Sequence, residues 1–261
     1  LPVSNHVFFR MAQTGRSFGT SLASKIILFV LMIVLAIVFM MAGQVLGALL
    51  LKQVAGAGLL PGVDPTAANP ANFGPAAQGI LLATLFFITA VLTFLWVIFY
   101  ERRSLASFGF GAPLAGLLKF LRGGLMATLA MAAIAYGLTA AGMAEMSPAS
   151  IPASWTAIIP LLVLILGWTV QGSTEEIVAR GLLFQSFGAR YGLILALLVS
   201  CAFFSFMHGQ NPNTKTLFFI NLAFYSAFVC FYALREASLW GVCGFHAFWN
   251  FTQGDVFGFA V

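Results

Sequence analysis

Residues 26–51 read IILFVLMIVLAIVFMMAGQVLGALLL, an apolar run without a single charged side chain. A helix needs about 20 mainly apolar residues to cross the hydrocarbon core of a bilayer. This run is therefore predicted to be a transmembrane helix. The remaining apolar runs of the chain are then expected to lie in a lipid bilayer as well.

Further apolar runs follow along the chain, at about residues 79–100, 123–143, 156–187, 193–208, 216–234 and 238–253. Each is long enough, or nearly so, to cross a bilayer. We expect an all-α fold, a polytopic transmembrane helix bundle of about seven or eight spans. Residues 1–261 are expected to form a single membrane domain whose motif-bearing core lies at about residues 156–253.

The composition excludes an ordinary soluble domain. Hydrophobic residues make up 61% of the chain and charged residues only 7%, whereas soluble domains carry roughly a quarter charged residues. The net charge of +5 would suggest nucleic acid as the partner of a soluble protein. Here the basic residues are spread through the loops, so the lipid bilayer is the expected partner and nucleic acid is not.

The basic residues predict the orientation. With the N-terminus in the cytoplasm, 10 of the 12 basic residues face that side, and only Lys52 and Lys215 lie opposite. Residues 1–24 lack an apolar core followed by a small-residue cleavage site, so a signal peptide is not expected. We interpret them as an interfacial segment, with Phe8 and Phe9 at the level of the lipid headgroups.

Polar and ionisable side chains concentrate in the apolar runs of the last third of the chain. Such residues are costly inside a membrane, and each calls for a functional explanation. They are Glu175, Glu176, Arg180, His208, His246 and Asn250.

Glu175 and Glu176 are adjacent on the predicted helix and point about 100° apart. Glu176 and Arg180 are spaced i, i+4 and can pair on one face, which leaves Glu175 free. The alternative is that all three residues only cap the cytoplasmic end of the fourth span.

The chain can bring Glu175 and His208 to the same depth. A helical hairpin that turns near residues 188–191 places them about 22 and 27 Å from the turn, at 1.5 Å per residue. His246 and Asn250 are spaced i, i+4 and can face one pocket, while Phe204, one turn before His208, can form its wall. Two glycines before His246 allow close helix approach, namely Gly241 and Gly244.

A carboxylate, two imidazoles and a carboxamide at matching depth indicate hydrolysis. The carboxylate can take a proton from water and return it to a leaving amine. An imidazole and a carboxamide on one helix face can donate hydrogen bonds to an oxyanion.

These residues resemble the family of CAAX prenyl endopeptidases and bacteriocin-processing or Abi proteins, the CPBP family. Its motifs EExxxR, FxxxH and HxxxN lie on successive transmembrane helices. This sequence contains all three in order between residues 160 and 253, as Glu175, Glu176 and Arg180, then Phe204 and His208, then His246 and Asn250.

The resemblance implies a role for each residue. Glu175 and His208 would activate the water, His246 and Asn250 would stabilise the oxyanion, and Glu176 with Arg180 would form a supporting ion pair. No cofactor is expected. The alternative is zinc held by Glu175, His208 and His246, but Asn250 suits an oxyanion better, and the sequence has no HExxH helix.

The predicted function is that of an intramembrane endopeptidase that acts on a membrane-associated peptide or protein. Nothing in the sequence identifies a prenylated substrate. The alternative is a non-proteolytic accessory or immunity subunit that keeps the family site and binds another membrane protein. A transporter is less well supported because inverted repeats are not apparent.

Overall fold

The computed structural model describes residues 5–15, 21–60, 74–146, 155–209, 211 and 215–259. In these ranges the chain is helical and contains no β-strand. The α-helices are α1 (Val7–Met11), α2 (Leu22–Gly56), α3 (Pro75–Leu95), α4 (Pro113–Ala140), α5 (Ile158–Glu176), α6 (Gln185–Tyr191), α7 (Leu193–Met207), α8 (Thr216–Glu236) and α9 (Trp240–Phe251).

Short segments of tighter or wider helix connect several of these elements. Two of them, Leu105–Phe108 and Trp155–Ala157, are 3₁₀-helices. Three others are π-helical and follow α3, α5 and α9 directly, at Trp96–Tyr100, Ile177–Phe184 and Thr252–Val256.

Five helical stretches in the described part of the chain are long and apolar enough to cross a membrane. They are Leu22–Gly56, Pro75–Tyr100, Leu105–Ala140, Ile158–Tyr191 and Thr216–Glu236. The helix Leu193–Met207 is apolar but shorter, and α9 is shorter still. The predicted all-α polytopic bundle is confirmed, while the count of seven or eight crossings stays a prediction.

Helix α2 illustrates why this fold needs a lipid solvent. Its buried face carries Met32 and Met40, yet Val30, Val34 and Val38 on other faces are about half exposed. A helix that is apolar all round suits a membrane, where lipid covers the faces that protein does not.

Small residues let the central helices approach closely. A Cβ on Gly123 of α4 would meet the carbonyl oxygen of Gly241 on α9, and a Cβ on Gly244 would meet the backbone of Phe120. The predicted role in close helix packing is therefore confirmed for Gly244, with α4 as the partner helix. A Cβ on Gly241 would instead meet the side chain of Glu236.

The N-terminal helix α1 differs from the expectation. Phe8 and Phe9 are fully buried, and the ring centroid of Phe9 lies 5.2 Å from that of Phe184. Both side chains point into the protein instead of into the headgroups, because the backbone carbonyl of Phe8 is held by the side-chain amide of Gln185 at 2.8 Å. Residues 1–4 and 16–20 lie outside the described residues, and the interfacial position of residues 1–24 stays a prediction.

A buried polar cluster fixes the same end of the bundle. Arg103 donates to Glu101 at 2.9 Å and to the side-chain oxygen of Gln185 at 2.5 Å. Burial lowers the pKa of the Arg103 guanidinium from its ordinary value, and the nearby Glu101 carboxylate opposes that shift. The cluster connects the loop that follows Pro75–Tyr100 to α6.

Candidate active site

The predicted site residues lie on three elements. Glu175 and Glu176 end α5, with Arg180 in the π-helical segment that follows. Phe204 lies near the end of α7 and His208 directly follows that helix. His246 and Asn250 lie on α9. The hairpin between α5 and α7 turns at Gly192, which has a φ of 89°, one residue beyond the predicted turn.

Gly172 lets α5 and α9 come together at the site. A Cβ at this position would lie 2.8 Å from the backbone nitrogen of Ala247. The two backbones therefore touch one turn before Glu175 and one residue after His246. This contact brings the carboxylates of α5 against the imidazole and carboxamide of α9.

Glu175 lies at the centre of the arrangement and is only 8% exposed. Its Oε2 is 3.7 Å from Nε2 of His208 and 3.7 Å from Nε2 of His246. Among the described residues this buried oxygen has no hydrogen-bond partner. A water can bridge polar atoms at this separation from beside the line that joins them.

His208 is oriented by its own helix. Its Nδ1 lies 2.8 Å from the backbone carbonyl oxygen of Phe204. A carbonyl oxygen only accepts, so Nδ1 carries the proton, and Nε2 of the neutral ring presents a lone pair toward Glu175. The centroid of the Phe204 ring is 4.4 Å from that of His208, so Phe204 forms the predicted wall.

Glu176 contacts both Arg180 and His246. The i, i+4 pair is present, with Arg180 Nη1 3.0 Å from Glu176 Oε1. The same oxygen lies 2.8 Å from His246 Nδ1. Glu176 therefore does more than pair with Arg180, because it contacts His246 directly and fixes the orientation of that imidazole.

Arg180 is fully buried and has partners on several sides. Its Nη2 donates to the hydroxyl of Ser226 at 2.8 Å and to the carbonyl of the same residue at 3.3 Å. Its guanidinium also lies 4.5 Å from the centre of the Phe204 ring. These contacts spread the cost of burying the charge over α5, α7 and α8.

Two of the π-helical segments begin at the site. One follows Glu176 at once, and the other follows α9 two residues after Asn250. π-helical turns are rare and occur often at functional sites. The wider turns rotate the side chains beyond them about the helix axis. A prediction that assumes 3.6 residues per turn therefore places those side chains on the wrong face.

Asn250 reaches Glu175 through a residue that the motifs do not contain. Asn250 Nδ2 donates to Oε1 of Gln171 at 3.0 Å, and Nε2 of Gln171 donates to Oε1 of Glu175 at 2.5 Å. Gln171 lies one turn before Glu175 and is buried. A polar amide inside an apolar span, at i−4 from Glu175, was the sequence signal that could have found it.

Tyr225 is a second residue that the motifs do not contain. Its ring centroid lies 5.7 Å from that of Phe204 and 5.6 Å from that of His246. It therefore forms part of the aromatic wall behind the two imidazoles. The sequence offered no signal for it, since Tyr225 lies among other aromatic residues of α8.

A small cavity adjoins Glu175. It is lined by Met40, Glu175, Phe203, Phe204, Met207 and His208. The volume in which the centre of a water molecule can move is about 10 Å³, close to the least that one water requires. The cavity therefore has room for about one water molecule in the arrangement described.

The zinc alternative concerns the side chains of Glu175, His208 and His246. In the described ranges, no group of three or more His, Cys, Asp and Glu side chains has an arrangement that could hold a metal ion. Zinc held by Glu175, His208 and His246 stays an alternative prediction.

Fold and site together define an integral membrane protein with a carboxylate and two imidazoles inside its helix bundle. The family model described as type II CAAX prenyl endopeptidase Rce1-like matches residues 155–252, the region that carries all three motifs. Residues 155–252 are thus similar to the CAAX protease family, which confirms the resemblance that the motifs predicted. Comparisons with curated proteins and with solved structures gave no match.

Proposed function

We propose that this protein hydrolyses peptide bonds with a water activated by Glu175 and His208, without a metal. The observation that carries the proposal is the position of Glu175 Oε2, 3.7 Å from Nε2 of both histidines and without a hydrogen-bond partner in the described part of the chain. The family match supports proteolysis of the CAAX type at the level of the family. The mechanism and the substrate are proposals.

Nε2 of His208 is free to accept a hydrogen bond from water. Since its Nδ1 donates to the Phe204 carbonyl, its Nε2 accepts one hydrogen of a bridging water while Glu175 Oε2 accepts the other. The lone pairs of the water oxygen then point away from both groups, toward a substrate carbonyl. On attack, Glu175 takes the proton, and it returns that proton to the leaving amine.

His246 and Asn250 are assigned to the oxyanion. His246 Nδ1 donates to Glu176, so its Nε2 donates to an oxyanion only while the ring is an imidazolium. The Glu176 carboxylate holds the ring in place through this bond, as a buried carboxylate does for the histidine of a catalytic triad. Asn250 offers an amide hydrogen that its bond to Gln171 does not use.

The substrate class follows from the site's surroundings. The cavity is lined mainly by Met and Phe side chains, which favours a peptide with apolar residues next to the scissile bond. We assign the substrate to membrane-associated peptides or proteins and place the N-terminus of the enzyme in the cytoplasm. The core at about residues 156–253 carries the chemistry.

The test compares purified wild type with Glu175→Gln. Fluorogenic peptides with a prenylated Cys-a-a-X tail, the same peptides without the prenyl group, and apolar membrane peptides serve as probes. We expect Glu175→Gln to lower kcat by about 10²–10⁴-fold, because the general base is lost. Glu145→Gln makes the same chemical change at an exposed position and should cleave like the wild type.

Two outcomes would contradict the proposal. If Glu175→Gln cleaves every probe as fast as the wild type, Glu175 is not the base. If a chelator abolishes cleavage and zinc restores it, the metal-free route is wrong. A Glu175→Gln protein that keeps a biological activity of the wild type would support the accessory or immunity subunit instead.

A further inference from the structure

We propose that Gln171 is a positioning residue that orients Glu175 and Asn250 together. The inference rests on the proposed function, since it assigns Glu175 to the water and Asn250 to the oxyanion. Gln171 is 6% exposed and uses both ends of its amide, donating to Glu175 at 2.5 Å and accepting from Asn250 at 3.0 Å.

Donor and acceptor chemistry fixes the direction of this chain of hydrogen bonds. An ionised carboxylate only accepts, so the NH₂ group of Gln171 must face Glu175. The carbonyl oxygen of Gln171 then faces Asn250, and this oxygen accepts only from the NH₂ group of Asn250. The Glu175 carboxylate thus determines, through Gln171, that the NH₂ end of the Asn250 amide faces Gln171.

The direction matters because the two ends of an Asn side chain have opposite effects on an oxyanion. The NH₂ group has a second hydrogen to donate, whereas the carbonyl oxygen would repel a developing negative charge. Without Gln171, the Asn250 amide has no partner in the described residues that selects between its two orientations.

Gln171 also occupies Oε1 of Glu175 and so separates the tasks of the two carboxylate oxygens. Oε1 accepts from Gln171, while Oε2 has no hydrogen-bond partner among the described residues and faces the two imidazoles. This hydrogen bond holds the plane of the carboxylate, so that one oxygen faces Gln171 and the other faces the imidazoles. The water-binding position is therefore set before substrate enters.

The experiment uses Gln171→Met, which keeps the length of the side chain and removes both hydrogen bonds. We expect kcat to fall about 10–100-fold with KM little changed, because both affected groups act on the transition state. The matched control is Trp168→Phe, one turn earlier on α5, which removes the bond from Trp168 Nε1 to Asp255 at 2.6 Å. This control should cleave like the wild type.

A double-mutant comparison tests whether Gln171 acts through Asn250. A double variant, Gln171→Met with Asn250→Ala, should lose less activity than the product of the two single losses, because part of the Gln171 effect passes through Asn250. A loss from general destabilisation would multiply instead.

An infrared measurement tests the inference without cleavage. The carboxylate stretching band of Glu175 is assigned as the band missing in Glu175→Gln, and we expect Gln171→Met to shift it while Trp168→Phe does not. An unshifted band together with a wild-type kcat overturns the inference. If Glu175→Gln cleaves like the wild type, the proposed function fails, and the band alone still decides whether Gln171 orients Glu175.

Discussion

Glu176 shows how one carboxylate oxygen can serve two partners in a membrane site. Its Oε1 contacts Arg180 at 3.0 Å and His246 at 2.8 Å, and all three side chains are buried. The Arg180 guanidinium offsets the cost of burying the carboxylate, and the carboxylate in turn accepts the hydrogen bond from His246 Nδ1. The ion pair therefore reaches the site through the histidine that it orients.

This arrangement predicts a larger catalytic effect for Glu176→Gln than for Arg180→Met. Each change breaks the same buried ion pair, which costs about 3–5 kcal/mol of stability, so both variants should melt earlier. Only Glu176→Gln also removes the charged acceptor that holds His246 Nδ1. We expect its kcat to be lower by a further factor of about 10.

The measurement is kcat at a temperature where both variants remain folded, with unfolding followed by circular dichroism in detergent. Equal kcat values for the two variants would show that Glu176 serves Arg180 alone.

At the scale of elements, the contact between α5 and α9 determines whether the motifs can meet. Gly172 is the position where the two backbones touch. Gly172→Ala should cost about 1–3 kcal/mol by overpacking. Cleavage should fall more than tenfold, because α9 carries His246 and Asn250 away from Glu175.

The matched control is Gly137→Ala on α4, where a Cβ would meet nothing within 4 Å. This change should leave cleavage unaltered and raise stability by about 0.5–1 kcal/mol through helix propensity. Thermal unfolding and cleavage of both variants check the prediction. If Gly172→Ala matched Gly137→Ala in both, the close contact would have no role in assembling the site.

Much of the hairpin was predictable because it depends on counting along helices. Rise per residue places Glu175 and His208 at one depth, and an i, i+4 spacing pairs Glu176 with Arg180. Both contacts are present. These inferences needed only the geometry of single helices and one turn.

The contacts across helices were not predictable in the same way. The bond from His246 to Glu176 depends on how α9 is rotated against α5, which the touching backbones at Gly172 determine. The π-helical segment after Glu176 adds a change of register that a 3.6-residue period does not contain. The partner of Gln171 was hidden for the same reason, since Asn250 lies on the other helix.

For the whole molecule, the open question of orientation has a direct test. The distribution of basic residues predicts that Arg10 faces the cytoplasm and Lys52 the opposite side. In a Cys201→Ala background, Lys52→Cys should react with a membrane-impermeant maleimide from outside right-side-out vesicles. Arg10→Cys should react only after permeabilisation, and the reverse pattern would invert the topology.

The native cysteines favour this design. Cys230 and Cys243 are buried within the bundle and only Cys201 is partly accessible. The background variant therefore removes the single accessible thiol in the described residues and should label weakly from either side.

The narrow cavity beside Glu175 has a consequence for how substrates are chosen. An α-helix is about 10–12 Å wide and has its carbonyl groups engaged in its own hydrogen bonds, so an intact helix can neither enter a space lined by Met40, Phe203 and Met207 nor offer a free carbonyl to the water. Only a segment that unwinds, or an already extended tail, meets both requirements. The enzyme would then select substrates by how easily the substrate helix unwinds as well as by its side chains. Substrates with Gly or Pro next to the scissile bond would be cleaved preferentially.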